Sequence, residues 1–166
     1  MDLQAFDDLM AATDPAMAIV TTASGAERSG CLVGFHGQAS IEPRRYAVWI
    51  SKANHTFGLA VDAAHFAVHL LTDADHELAR TFGTLTGDDD DKFALVETRT
   101  GPHGVPILAA CGHRLVGAKV SLVDDGGDHV CVVLDPTDVW SGGSFTPLRL
   151  SDVGDLTPAH EAGEGT

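Results

Sequence analysis

The chain has 166 residues, enough for one domain with a sizeable core. Its 24 acidic residues against 10 basic ones give a formal charge of −14, which repels nucleic acid and anionic lipid at long range and speaks against both as partners. No secretory signal and no apolar run long enough to cross a membrane stand out, so a cytoplasmic protein is expected. Cys31, Cys111 and Cys131 show no CxxC spacing, which disfavours a disulfide framework and a zinc site, and no metal centre is expected.

In chain order, Leu3, Phe6, Leu9 and Met10 recur at helical spacing and predict a short amphipathic helix over Asp2 to Ala12. Asp14-Pro15 ends it. Met17, Ile19 and Val20 lead into a threonine pair and a Ser24-Gly25 turn, which reads as a first strand with a hairpin to the next. From Gly30 to Thr56 two strand-like runs follow, CLVGFHGQASI and YAVWIS, joined at Glu42-Pro43-Arg44-Arg45. Gly34 and Gly37 weaken the first run; glycine inside a strand marks a bulge, a barrel corner or close approach of a ligand to the backbone.

The second run gives way to Ser51, Lys52, Asn54, His55 and Thr56, several donors beside a positive charge where Phe57, Leu59, Ala60 and Val61 predict a helix of two turns. Asn54 or Thr56 would cap that helix. A strand end, a helix start and a lysine together suit a phosphate. Lys52 is one of only three lysines, with Arg44 and Arg45 upstream, so an anionic ligand has a local exception to the acidic surface here.

Ala64 to Leu71 reads as a buried strand. His65 and His69 would share one face about 13 Å apart, too far for one ion. Ala74 to Gly83 reads as a helix with an acidic start, and Asp88 to Lys92 as a solvated helix start before Phe93. Pro102 to Pro106 is a loop. Gly112 to Val123 alternates, with Val116, Ala118, Val120 and Leu122 expected on one face and Lys119 and Ser121 on the other. His129 to Leu134 returns after an Asp124–Asp128 turn, with Val130, Val132 and Leu134 aligned. The domain is placed at 1–150 and a flexible tail at 151–166, with Ala159 to Thr166 its most mobile part. Strands with short helices and no regular βα alternation argue for a mainly β fold, a barrel with helical additions. No GxGxxG, P-loop or GxSxG appears.

The order GxxVxxxxxxSIEP, a hydrophobic strand and SKxNHT resembles the flavin reductase-like family. The same order holds for Ala18-Ile19-Val20-Thr21-Thr22, Phe66 to Leu71 and Gly127-Asp128-His129. The resemblance covers Pro15 to Trp140. It implies an FMN-binding split β-barrel with flanking helices, a homodimer with the flavin at the subunit boundary, and FMN or FAD reduced by NADH or NADPH. Reduced flavin would pass to a partner monooxygenase.

On the resemblance, main-chain groups of Val33, Gly34, Phe35, His36, Gly37 and Gln38 would meet the isoalloxazine edge. Ser51, Lys52, Asn54, His55 and Thr56 would hold the phosphate, Phe82 would lie near the cofactor, and His129 would be the catalytic residue on the nicotinamide side. Two of these have structural alternatives: Phe82 as core packing, and His129 as a turn-closing residue bonded to Asp128. The family has small hydroxyl residues where Gly34, Phe35, His36 and Gly37 stand, so contacts here would run through the backbone. Two alternatives to a reductase stay open: a non-catalytic flavin carrier or sensor, and a deazaflavin-dependent oxidoreductase.

Overall fold

A computed structural model describes residues 1–84 and 91–156. The elements are α1 (Leu3–Ala12), β1 (Ala18–Ser24), β2 (Glu27–Val33), β3 (His36–Ser40), β4 (Arg45–Ser51), α2 (His55–Asp62), β5 (His65–Leu70), α3 (His76–Thr84), β6 (Thr98–Thr100), β7 (Pro106–Leu108), β8 (His113–Val123) and β9 (His129–Ser141). Seven strands form one antiparallel sheet in the order β2-β1-β5-β8-β9-β4-β3, and β6 pairs with β7 apart from it. The fold is the expected mainly β one. No helix among the described residues is long and apolar enough to cross a membrane.

The sheet order forces curvature. β2 and β3 are the two edges of the seven-stranded sheet, yet only Gly34 and Phe35 separate them in the chain. Flat, those edges would lie roughly 29 Å apart at about 4.8 Å per strand. Three Cα steps from Val33 to His36 reach at most about 11 Å, so the sheet must curl until its edges meet. The run from Cys31 to Ile41, expected as a single strand, is therefore two strands that break at Gly34-Phe35 and pair with different partners, β2 with β1 and β3 with β4.

Alternation along the strands fills two cores. Ala18, Val20, Val48, Ile50, Phe66, Val68, Val130, Val132 and Leu134 point into the curl. Met17, Ile19, Leu71, Phe82, Leu108 and Leu148 form a second cluster on the outer side, beneath α3 and the C-terminal segment. β1 is buried along most of its length because both of its faces are covered. His69 lies in this outer layer, fully buried. Its Nδ1–H donates to the Ile19 carbonyl at 3.1 Å, and Nε2 accepts from Leu108 N–H at 3.1 Å.

The β8–β9 hairpin departs from simple alternation. Register shifts fall between Val116 and Gly117 and between Lys119 and Ser121. Each extra residue flips the faces. Val116 accordingly packs with Ala67 and Ile107, Leu122 packs against the inner core, and Val120 is exposed, so the single face expected for Val116, Ala118, Val120 and Leu122 does not exist. Lys119, on the other side, extends its ammonium to the Ala60 and Val61 carbonyls at the end of α2, where unpaired carbonyls favour a cation.

Helix α1 forms with Asp2 as its N-cap but buries none of its residues. At the other end, Leu148 and Val153 are buried, and Ser151 donates through N and Oγ to the Asp14 carboxylate. Residues up to Leu156 are thus packed or pinned; the tail expected at Ala159 to Thr166 lies outside the described residues. So does most of the acidic run before Phe93. Lys92 itself is 4% exposed and not solvated, its ammonium donating to the Gly30 and Phe82 carbonyls.

Candidate functional site

Where the sheet edges meet, a cavity of about 280 Å³ opens between the end of β2, the Gly34-Phe35 corner, the end of β4 and the start of β9. Cys31, Leu32 and Val33 give one wall, Phe35 and Trp49 another, and Met17 closes the back. Ser51, Asn54 and His129 stand at the polar side. The walls are apolar because β2 and β4 are here turning from core to rim. Trp49, flanked by the buried Val48 and Ile50, points the other way and is 38% exposed.

The polar side is built by the stop of β4. Ser51 Oγ accepts from Ala53 N–H, Asn54 N–H donates to the Ser51 carbonyl, and the Asn54 side chain accepts from Thr56 N–H to cap α2. Thr56 is fully buried, its hydroxyl 2.8 Å from that of Ser29 on β2. The start of α2 is therefore fixed beneath the cavity, and the positive end of its dipole lies beside Asn54. Lys52 N–H donates to the Asp128 carbonyl, which ties the cluster to the β8–β9 turn.

That turn carries the titratable groups. His129 Nδ1–H donates to the Asp128 carboxylate at 2.7 Å, and its ring lies 5.2 Å from that of Phe35. The histidine holds the Asp128 carboxyl below its ordinary range. The Lys52 ammonium is 2.8 Å from Asp124 and likewise holds that carboxyl down. At the β2 end, burial pushes the Cys31 thiol up, so it is an apolar wall and not a thiolate.

The cavity brings together Val33, Gly34, Phe35, Ser51, Asn54 and His129 of the residues singled out in the sequence. The others stand elsewhere. His36 is turned away: Nε2–H donates to the Ala16 carbonyl and Nδ1 accepts from the Tyr46 hydroxyl, both at 2.7 Å. Burial lowers its pKa and raises that of Tyr46 to about 12. Gly37 and Gln38 continue along β3, the Gln38 amide bonded to the Ser40 carbonyl. Lys52 is on Asp124, His55 is the first residue of α2, and Thr56 is beneath it. Phe82 is in the outer core against Phe93. Arg45, expected near the anion, pairs with Asp135.

Sequence reasoning missed Cys31, Leu32, Trp49, Met17, Pro15 and Leu150 as lining residues. Trp49 was legible in principle, as a lone aromatic on the non-core phase of a strand beside a polar cluster. Leu150 had no local signal, since it is brought in only by the bonds of its segment to Pro15 and Asp14.

A family model described as a flavin reductase like domain matches residues 10–152. The chain belongs to the flavin reductase-like family. A ferric-chelate reductase (NAD(P)H) from Archaeoglobus fulgidus is 28% identical over 139 residues, covering 83% of this chain and 80% of that protein. The stachydrine N-demethylase reductase subunit Stc3 from Rhizobium meliloti is 27% identical over 128 residues, 75% of this chain. The chain spans only about half of that rhizobial relative, 54%. The crystal structure of a flavin reductase domain protein from Arthrobacter sp. FB24 superposes with a TM-score of 0.80 at 21% identity, covering 90% of this chain and 91% of that one, which speaks to the fold.

Proposed function

We propose that the protein is a flavin reductase that binds FMN in this cavity and accepts hydride from NADH or NADPH. The observation that carries the reading is the apolar cavity at the closed sheet edge, with the capped start of α2 on its polar side, in a chain of the flavin reductase-like family. The residues suit the group. An isoalloxazine is a flat, largely apolar ring with polar edges, and Leu32, Val33, Phe35 and Trp49 offer apolar faces while the Gly34 backbone and the Ser51 and Asn54 side chains offer polar contacts. The volume is near the small end of the range for small-molecule clefts.

When bound, the flavin supplies the redox chemistry, taking a hydride and passing electrons on. The chain's own part is positioning and exclusion of water. Phe35 and Trp49 shield the ring, Ser51 and Asn54 hold the phosphate side, and Lys52 adds a charge-assisted contact by moving from Asp124. His129, fixed by Asp128 through Nδ1, keeps its ring at the cavity edge, where it orients the nicotinamide.

Delivery of reduced flavin to a partner monooxygenase is the physiological role we favour; a relative named as the reductase subunit of an N-demethylase supports it. A homodimer accords with the exposed Phe35, Ile41, Trp49, Val120 and Val123 on β3, β4 and the β8–β9 hairpin or beside them. The test is the absorbance spectrum of the purified protein with added FMN, followed by anaerobic NADH or NADPH. Flavin that binds and bleaches on a catalytic timescale supports the reductase. Flavin that binds and stays oxidised means a carrier or sensor, and no binding of FMN removes the assignment.

A further inference from the structure

A second cleft, of about 310 Å³, lies between β6, the segment before β8, and the end of β9. Arg99 and Arg114 line it with Trp140, over a floor of Ala109 to Gly112. Strand pairing fixes both arginines, Arg99 opposite Ile107 and Arg114 opposite Trp140. The Arg114 guanidinium is 5.8 Å from the Trp140 ring centre, and one N–H points at the Cys111 carbonyl.

Arg28, Arg45, Arg80 and Lys52 each hold a carboxylate, while Lys92, Lys119 and Arg149 donate to main-chain carbonyls. Arg99 and Arg114 hold no carboxylate among the described residues, although the chain has 24 acidic residues to offer. The acidic group felt at the cleft floor is Asp75, and its carboxylate is taken up by the Thr72 N–H and hydroxyl. Beside the two guanidiniums, the Trp140 indole is 57% exposed. A guanidinium matches a phosphate in geometry as well as charge, two of them line this cleft, and an exposed indole offers a stacking face to a planar ring.

We propose that this cleft is a second ligand site, for a nucleoside monophosphate, with Arg99 and Arg114 on the phosphate and Trp140 on the base. It is separate from the flavin cavity. Met17 lines the cavity, Cys111 lines the cleft, and both belong to the outer core cluster that stands between them. The site does not depend on the flavin assignment.

Calorimetric titration of the full chain with adenosine monophosphate, adenosine and inorganic phosphate tests this. Adenosine monophosphate is expected to bind more tightly than either part, to weaken as salt is raised, and to lose tenfold or more in affinity in the Arg99→Gln, Arg114→Gln double variant. Trp140→Leu is expected to weaken adenosine monophosphate and leave phosphate as in the parent. An unfolding midpoint equal to the parent's and unchanged FMN titration in the double variant would place the effect at the cleft. The proposal falls if adenosine monophosphate gives no binding up to about 1 mM, binds no better than phosphate, or binds the double variant equally well. It falls also if FMN affinity drops in step with that of the nucleotide.

Discussion

Two histidines show how one residue type serves opposite ends. His69, next to last in β5, has both ring nitrogens committed to backbone partners on β1 and β7 and is fully buried. His129, at the first position of β9, has one nitrogen on Asp128 and the rest of its ring at the edge of a cavity. The first is a rivet between layers. The second is oriented but not used up, which is what a group acting on a bound molecule requires.

The largest expected effect breaks the first side of that contrast. His69→Leu leaves the Leu108 N–H buried without its partner and removes the side-chain donor to the Ile19 carbonyl, and should cost about 1–3 kcal/mol in unfolding free energy by denaturant titration. A parent-like midpoint would deny the rivet. Acid should do the same reversibly. Burial depresses the His69 pKa from 6.5 to about 4, so below pH 6.5 the unfolded chain binds the proton more readily than the folded one and stability rises with pH. The His69 contribution, on the order of 3 kcal/mol, is complete above pH 6.5 and is lost as pH falls to about 4. His36, also depressed by burial, acts with the same sign, so unfolding midpoints should fall across that window in the parent and less steeply in His69→Leu.

On the other side, His129→Ala should leave the unfolding midpoint unchanged while slowing anaerobic flavin reduction by NAD(P)H about tenfold, with a smaller change in FMN affinity. Equal reduction rates in variant and parent would return His129 to the role of a turn-closing residue. Lys52→Ala should weaken FMN binding by about 1.5 kcal/mol, measured by fluorescence titration. The smallest effect is expected from Asp124→Asn, which frees the Lys52 ammonium and should tighten FMN binding about twofold or threefold. Weaker binding in that variant would mean that the ion pair holds the turn in place and does not compete with the phosphate.

Much of the inner core was legible from local pattern. Val20, Val48, Ile50, Val68, Val130 and Val132 sit at the alternating positions that periodicity marks, and the ends of α2 and of the β1–β2 hairpin follow from Asn54 and Ser24-Gly25. What escaped depends on distant partners. The break at Gly34-Phe35 follows from β2 and β3 having different neighbours, which no window of residues contains. The bulge in β8 is invisible to a strict two-residue period, and it reversed the assignment of Val120. At the candidate site, Lys52 announced itself by residue type, yet its ammonium is on Asp124, whose approach depends on the β8–β9 hairpin folding back. The clustering of donors was readable, and so was Asp128 as a partner for His129; Asp124 as the partner of Lys52 was not.

The two-residue link between the sheet edges also bears on how the chain reaches its final state. β1 must find β5, β5 must find β8, and β4 must find β9 with Tyr46 opposite Leu134, so half of the sheet's pairings join segments remote in sequence and should form slowly. The cavity exists only when the last of these pairings brings the edges of β2 and β3 together. A ligand seated there binds the curled sheet and not its open precursors, so its affinity adds directly to the resistance of the whole sheet to unfolding.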